Sequence, residues 1–304
     1  MMRTARCSLA LLVLALAPMH PALAGSVVGT RAFTLSYTGA GNAGLSCNTG
    51  YSIDGIEPAD NAKHPVFVYM VGTTESYQNA SAQAAIQAMA ERGFVSVSVE
   101  YATATFGTCG TIGNKAQCIF DPESAQSAIT AVCGRASADC SKGIVTGGFS
   151  QGSIIATLAH DYDPRVRAAW GMGEGVTYSL YGPVKSCMTA GSYSLPVDHL
   201  RVANGVNDGF LNRGFPHDVV KQTQDVTGLT DCKPTDISCY RPNGSGYHIV
   251  QTDEVASGNA GHCYMRNGSN CLHSENALDT NWLDGNGDWS LSAELDWLAG
   301  FADQ

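Results

Sequence analysis

The stretch Gly148-Phe149-Ser150-Gln151-Gly152 sets a serine between two glycines, each two residues away. Upstream, residues 143–145 read as a short buried strand. Downstream, Ile154, Ile155, Leu158 and Ala159 recur at helical spacing. The serine therefore falls on a turn from strand to helix, where glycines let the two backbones pass closely and the hydroxyl is held outward under strain. A hydroxyl so placed is a candidate nucleophile. It needs a base to take its proton, an acid to orient that base, and N–H donors for the oxyanion that forms. Asp208 follows the strand-like run 200–205, and His262 lies in the loop after the run 247–252. Glu174 and Asp253 are the rival acids, and His248, His273 and His217 the rival bases. His248 falls within a strand and His273 lies beyond Cys271, so Asp208 and His262 are preferred. His64, His160 and His199 read as surface or packing residues. The expected oxyanion donors are the main-chain N–H of Gln151 and that of Thr73, with Thr74 as its neighbouring alternative.

The elements that must position these groups alternate. Two opening strands (32–39 and 51–58) lead into a continuous apolar strand at 65–72, a helix at 79–93 that stops at Gly93, and a strand at 94–101. Asp121-Pro122-Glu123 has the form of a helix start, with a cap, a proline and an acid in sequence. Further strands are expected at 143–147, 166–173, 200–205 and 247–252, a helix from Ser150, and a last helix at 292–302. This order predicts an α/β fold: a mostly parallel central sheet with helices on both faces and the active site at the carboxyl ends of the strands. The segment 176–196, with Tyr178, Tyr181 and Tyr193, is long enough for a small lid and too short for a large cap domain, so an open cleft is expected; the alternative is a disulfide-tied surface loop anchored at Cys187. "DGNGD" at 284–288 spaces its oxygens like a calcium loop. Trp289 and Leu295 stand where that pattern needs glycine and glutamate, so a plain turn is expected.

Residues 1–24 have the form of a secretory signal: Arg3 and Arg6, a short apolar run, and Ala22-Leu23-Ala24 ahead of Gly25. The expected mature chain, 25–304, is one catalytic domain, secreted or periplasmic, with no membrane span. Losing Arg3 and Arg6 takes the formal charge from −10 to −12, which gives no electrostatic reason to bind nucleic acid. Setting aside Cys7 of the signal leaves ten cysteines, which in an oxidising compartment read as disulfides. Close spacing suggests Cys109/Cys118, Cys133/Cys140, Cys232/Cys239 and Cys263/Cys271, leaving Cys47 and Cys187 for a long-range bridge. The competing reading, zinc held by His262, Cys263, Cys271 and His273, is disfavoured because no C-x-x-C occurs. A bridge from Cys263 would tether the loop that carries His262.

"GFSQG", "GVNDGF" and "AGHCYM" together resemble the serine, acid and histidine segments of the α/β-hydrolase superfamily, in particular secreted serine esterases of the carboxylesterase and cutinase-like polyester hydrolase type. The resemblance spans essentially the whole mature region. It departs from that pattern in having Val71-Gly72 where a His-Gly pair is common, and in the insert between acid and base that carries Cys232 and Cys239. The resemblance implies cleavage of carboxylic esters through an acyl-enzyme, on a small-molecule or polymeric ester substrate, by a monomer with no metal or organic cofactor. A peptidase or amidase on the same scaffold and a non-catalytic binding protein are the alternatives.

Overall fold

In a computed structural model of the chain the described residues are 29–39, 47, 49–212, 218–267, 271 and 277–303. The expected signal (1–24), Cys7, His217 and His273 lie outside them. A nine-stranded sheet runs in the order β1-β2-β4-β3-β5-β6-β9-β11-β10. Its strands are β1 (Thr30–Tyr37), β2 (Tyr51–Pro58), β3 (Val66–Met70), β4 (Val95–Val99), β5 (Ile144–Phe149), β6 (Val166–Met172), β9 (Leu200–Gly205), β10 (Ser238–Tyr240) and β11 (Gly246–Val250). β7 (Thr177–Tyr178) and β8 (Gly182–Pro183) form a separate hairpin. The six strands from β4 to β11 pair in parallel, while β1, β2 and β10 run antiparallel at the edges. Every residue of β3, β4, β5, β9 and β11 is buried, as expected of apolar strands covered on both faces.

The helices are α1 (Ala80–Glu91), α2 (Cys109–Phe120), α3 (Ala128–Cys133), α4 (Gln151–Leu158), α5 (Lys185–Met188), α6 (Asp218–Thr227), α7 (Thr280–Asp284) and α8 (Leu291–Ala299). α1 packs with α8 and α2 with α4, and α4 lies against β3, β5 and β6. One hydrophobic core runs through the sheet and both helix groups.

Three local expectations are corrected. Asp121 does not start a helix but ends α2, and the next helix starts one turn later with Ser127 as its cap. The Asp121 carboxylate accepts the Glu123 N–H, so the Asp-Pro-Glu signature makes a turn between two helices. The segment 109–118 makes up most of α2, so Cys109 and Cys118 cannot pair as their spacing suggests. Nine residues of helix separate them by about 13 Å, beyond the ~7 Å that a disulfide spans, and set them on opposite sides of the helix. Cys118 pairs instead with Cys47, and Cys109 with Cys187, which also replaces the expected Cys47/Cys187 bridge. Cys133–Cys140, Cys232–Cys239 and Cys263–Cys271 pair as their spacing suggests. "DGNGD" forms the connection from α7 to α8, where the Asp288 carbonyl accepts from Arg201.

Candidate active site

Ser150 occupies the step from β5 to α4 with φ 54° and ψ −118°, a backbone conformation that L-residues rarely adopt. The two flanking glycines are required by space. A Cβ on Gly148 would come within 2.4 Å of the Gly152 backbone, and one on Gly152 within 2.2 Å of the Met70 carbonyl. The Ser150 N–H donates to the Met172 carbonyl at 2.7 Å, which fastens the turn to β6. Asn79, Thr108, Ser127, Asp279 and Ser290 each cap their helix through the side chain; Ser150, at the same position of α4, does not. Its hydroxyl is left for the cavity it lines, a space of about 470 Å³ bounded also by Thr73, Glu75, Phe149, Tyr181, Phe210 and His262.

His262 reaches that cavity from the loop after β11. Its Nδ1 lies 2.7 Å from Oδ2 of Asp208, which is fully buried in the turn after β9. The other Asp208 oxygen accepts the N–H groups of Phe210 (2.9 Å) and Leu211 (3.1 Å). A carboxylate so satisfied keeps its orientation, and an imidazole donating Nδ1–H to it leaves Nε2 free to accept a proton. The ring is packed between Phe149 and Phe210, with centroids 4.8 and 4.6 Å away. Gly173, at φ 63°, makes room for it, since a Cβ there would meet His262 Cε1 at 2.6 Å. Ser150 and His262 thus line one cavity, with Asp208 bonded to His262 behind it.

Among the described residues, the other histidines and the rival acid Glu174 have partners away from this pair. His248 Nε2 faces both oxygens of Glu254 at 3.0 Å; His64 pairs with Asp60, while His160 and His199 each bond a backbone carbonyl. Glu174 is buried with one oxygen accepting from Thr157 at 2.7 Å. Asp253 is exposed.

The loop after β3 is a tight turn with Thr74 at φ 64°. The Thr74 N–H is committed to the Thr103 carbonyl at 2.9 Å, and the Gly72 N–H to the Glu75 carboxylate at 2.8 Å. The N–H of Thr73, which lines the cavity, has no hydrogen-bond partner among the described residues. Glu75 also accepts from Asn79 at 3.1 Å and pairs with Arg266 at 2.5 Å, so one ion pair ties this turn to the loop of His262. Behind Ser150, the side chain of Gln151 donates to the carbonyls of Thr105 and Phe106 at 2.8 Å each and accepts from Lys115 at 3.0 Å. Sequence reasoning missed Glu75, Arg266 and Lys115, because each acts on partners far away along the chain. The β7–β8 hairpin sets the exposed Leu180 and Tyr181 at the cavity rim, where Tyr181 stacks on Phe106 at 4.6 Å and 10°. Among the described residues no cluster of histidine, cysteine and acidic side chains is fit to hold a metal.

No protein-family model matches the chain, and no curated protein matches it. Among solved structures, a cold-adapted esterase from an Arctic intertidal metagenomic library, bound to polyethylene glycol, aligns at 10% identity with a TM-score of 0.54, covering 90% of this chain and 95% of that one. A dienelactone hydrolase-like promiscuous phosphotriesterase from metagenomic libraries aligns at 12% identity with a TM-score of 0.46, covering 73% and 81%. With a parallel centre of six strands, a glycine-flanked turn after β5 and a likeness to the first of these structures along nearly its whole length, the chain has the α/β-hydrolase fold.

Proposed function

We propose that this protein is a secreted serine hydrolase of carboxylic esters, with Ser150 as nucleophile, His262 as base and Asp208 as the acid that orients it. The observation that carries this reading is a buried Asp208–His262 pair opening on the same cavity as a strained serine that caps nothing. Ser150 Oγ attacks the ester carbonyl carbon and passes its proton to His262 Nε2. The N–H groups of Gln151 and Thr73 bind the oxyanion. The tetrahedral intermediate collapses, the alcohol leaves with the proton from His262, and an acyl-enzyme remains. Water, deprotonated by His262, then attacks the acyl carbon; the second intermediate collapses, the bond to Ser150 Oγ breaks as that oxygen takes the proton back from His262, and the acid is freed. Residues 1–24 serve as the export signal and 25–304 as one catalytic domain, and the five disulfides suit an oxidising compartment.

Ser150→Ala is expected to abolish turnover of a short-chain aryl ester and labelling by a fluorophosphonate, with the melting temperature close to wild type, since alanine keeps the Cβ and loses only a hydroxyl that caps nothing. Retained turnover in a folded Ser150→Ala protein would falsify the assignment. Matched ester and anilide substrates separate esterase from amidase, and a preference for the anilide would redirect the reading to peptide bonds.

A further inference from the structure

Lys115 is a cation in the interior. It lies on α2 with 2% of its surface exposed, and among the described residues no carboxylate pairs with it. A buried ammonium group without a counter-ion costs several kcal/mol unless its protons are bonded. Here its partners are the Thr105 carbonyl at 2.5 Å and Oε1 of Gln151 at 3.0 Å, and the Tyr101 ring centroid lies 5.9 Å away. The Gln151 amide is thereby held one way round: Oε1 on the ammonium, Nε2 on the carbonyls of Thr105 and Phe106, with the Thr73 hydroxyl at 3.5 Å. Gln151 and Thr73 are the two residues whose main-chain N–H groups bind the oxyanion in the proposed reaction. One buried cation therefore reaches both donors through a single side chain.

We infer that Lys115 is a positioning residue for the oxyanion site: in its charged form it fixes Gln151 and Thr73 and adds a positive field behind the negative charge that develops on the attacked ester. Burial pushes its pKa down to about 8, so the charge is lost in mild alkali. The groups facing it are Gln151 from α4 and, from the stretch after β4, Thr105 and Tyr101. Of these only Tyr101 titrates. Its hydroxyl donates to the Val71 carbonyl at 2.5 Å, and burial raises its pKa well above the ordinary value, so it stays neutral while Lys115 titrates.

This inference rests on Ser150 being the nucleophile, and the Ser150→Ala experiment tests that point separately. The measurement is kcat and KM for a short-chain aryl ester from pH 7 to 10, on the wild type and on Lys115→Met, with near-ultraviolet circular dichroism to confirm folding at each pH. Wild-type kcat is expected to fall about tenfold or more across the range with KM steady. Lys115→Met is expected to have kcat about 10–100-fold lower at pH 7, with KM within about threefold and no alkaline fall, since losing one oxyanion donor typically costs about 10²–10³ and a displaced donor somewhat less. A wild-type kcat that stays level or rises from pH 7 to 10 overturns the inference whatever the variant does, including failing to fold. So does a folded Lys115→Met protein with kcat within twofold of wild type. If turnover depends on Ser150 while kcat ignores Lys115, this inference alone is lost.

Discussion

Glu174, two residues past β6, has one carboxyl oxygen bonded by Thr157 and the other buried with no partner among the described residues. Burial raises its pKa to about 8, so it is held neutral at pH 7. A carboxyl whose folded pKa is raised contributes stability that is fully present below the ordinary value of 4.5 and is lost as pH rises towards about 8. Glu174→Gln removes that dependence. Urea unfolding is expected to show the variant gaining on the wild type between pH 5 and pH 8, by at least about 1 kcal/mol in total, each unit of pKa shift being worth about 1.4 kcal/mol. A difference that stays flat with pH would mean that Glu174 is ionised in the folded chain. At this scale the sequence was informative where residue type and chain position coincide: Ser150 directly follows β5, Asp208 sits in the turn after β9, and His262 in the loop after β11. Glu75 and Arg266 carry no such signal, since 191 positions separate two residues that the fold sets 2.5 Å apart.

At the scale of elements, the Cys263–Cys271 bridge begins at the residue bonded to His262 and closes a loop of seven intervening residues. So short a loop adds roughly 2–3 kcal/mol through the unfolded chain. A shift of about 1 Å at a catalytic group can cost about 10²-fold in rate. Replacing both cysteines by serine is therefore expected to lower kcat by about tenfold or more while the melting temperature drops by only a few degrees. The reverse pattern, a large drop in melting temperature with kcat unchanged, would leave the bridge a purely structural role and weaken the assignment of His262. The strands were legible because buried parallel strands are unbroken apolar runs. α2 was not, because "CGTIGNKAQCIF" dilutes its apolar positions, Ile112, Ala116 and Ile119, with two glycines and a lysine that is buried rather than exposed. Missing that helix also hid Lys115 and produced the wrong cysteine pairs.

Across the whole molecule, alternation of strand and helix was enough to foresee a parallel sheet, but not that β3 would sit between β4 and β5, nor which distant segments would be stapled together. α2 is fastened near both ends, by Cys109 to Cys187 and by Cys118 to Cys47. Along the chain those two bonds interlock, since Cys109 lies inside the loop that Cys47 and Cys118 close. Thiols oxidised in the order of their synthesis would join Cys47 to Cys109, because Cys118 is made later. Reaching the native pairing then requires that bond to be attacked by a free thiolate and exchanged. Export of the growing chain into an oxidising compartment that lacks a disulfide isomerase is therefore expected to accumulate a Cys47–Cys109 species, detectable by peptide mapping. A glutathione redox pair or a disulfide isomerase should raise the native yield severalfold. Equal yields with and without exchange would show that α2 folds before its cysteines react, so that the helix itself decides which sulfurs can meet.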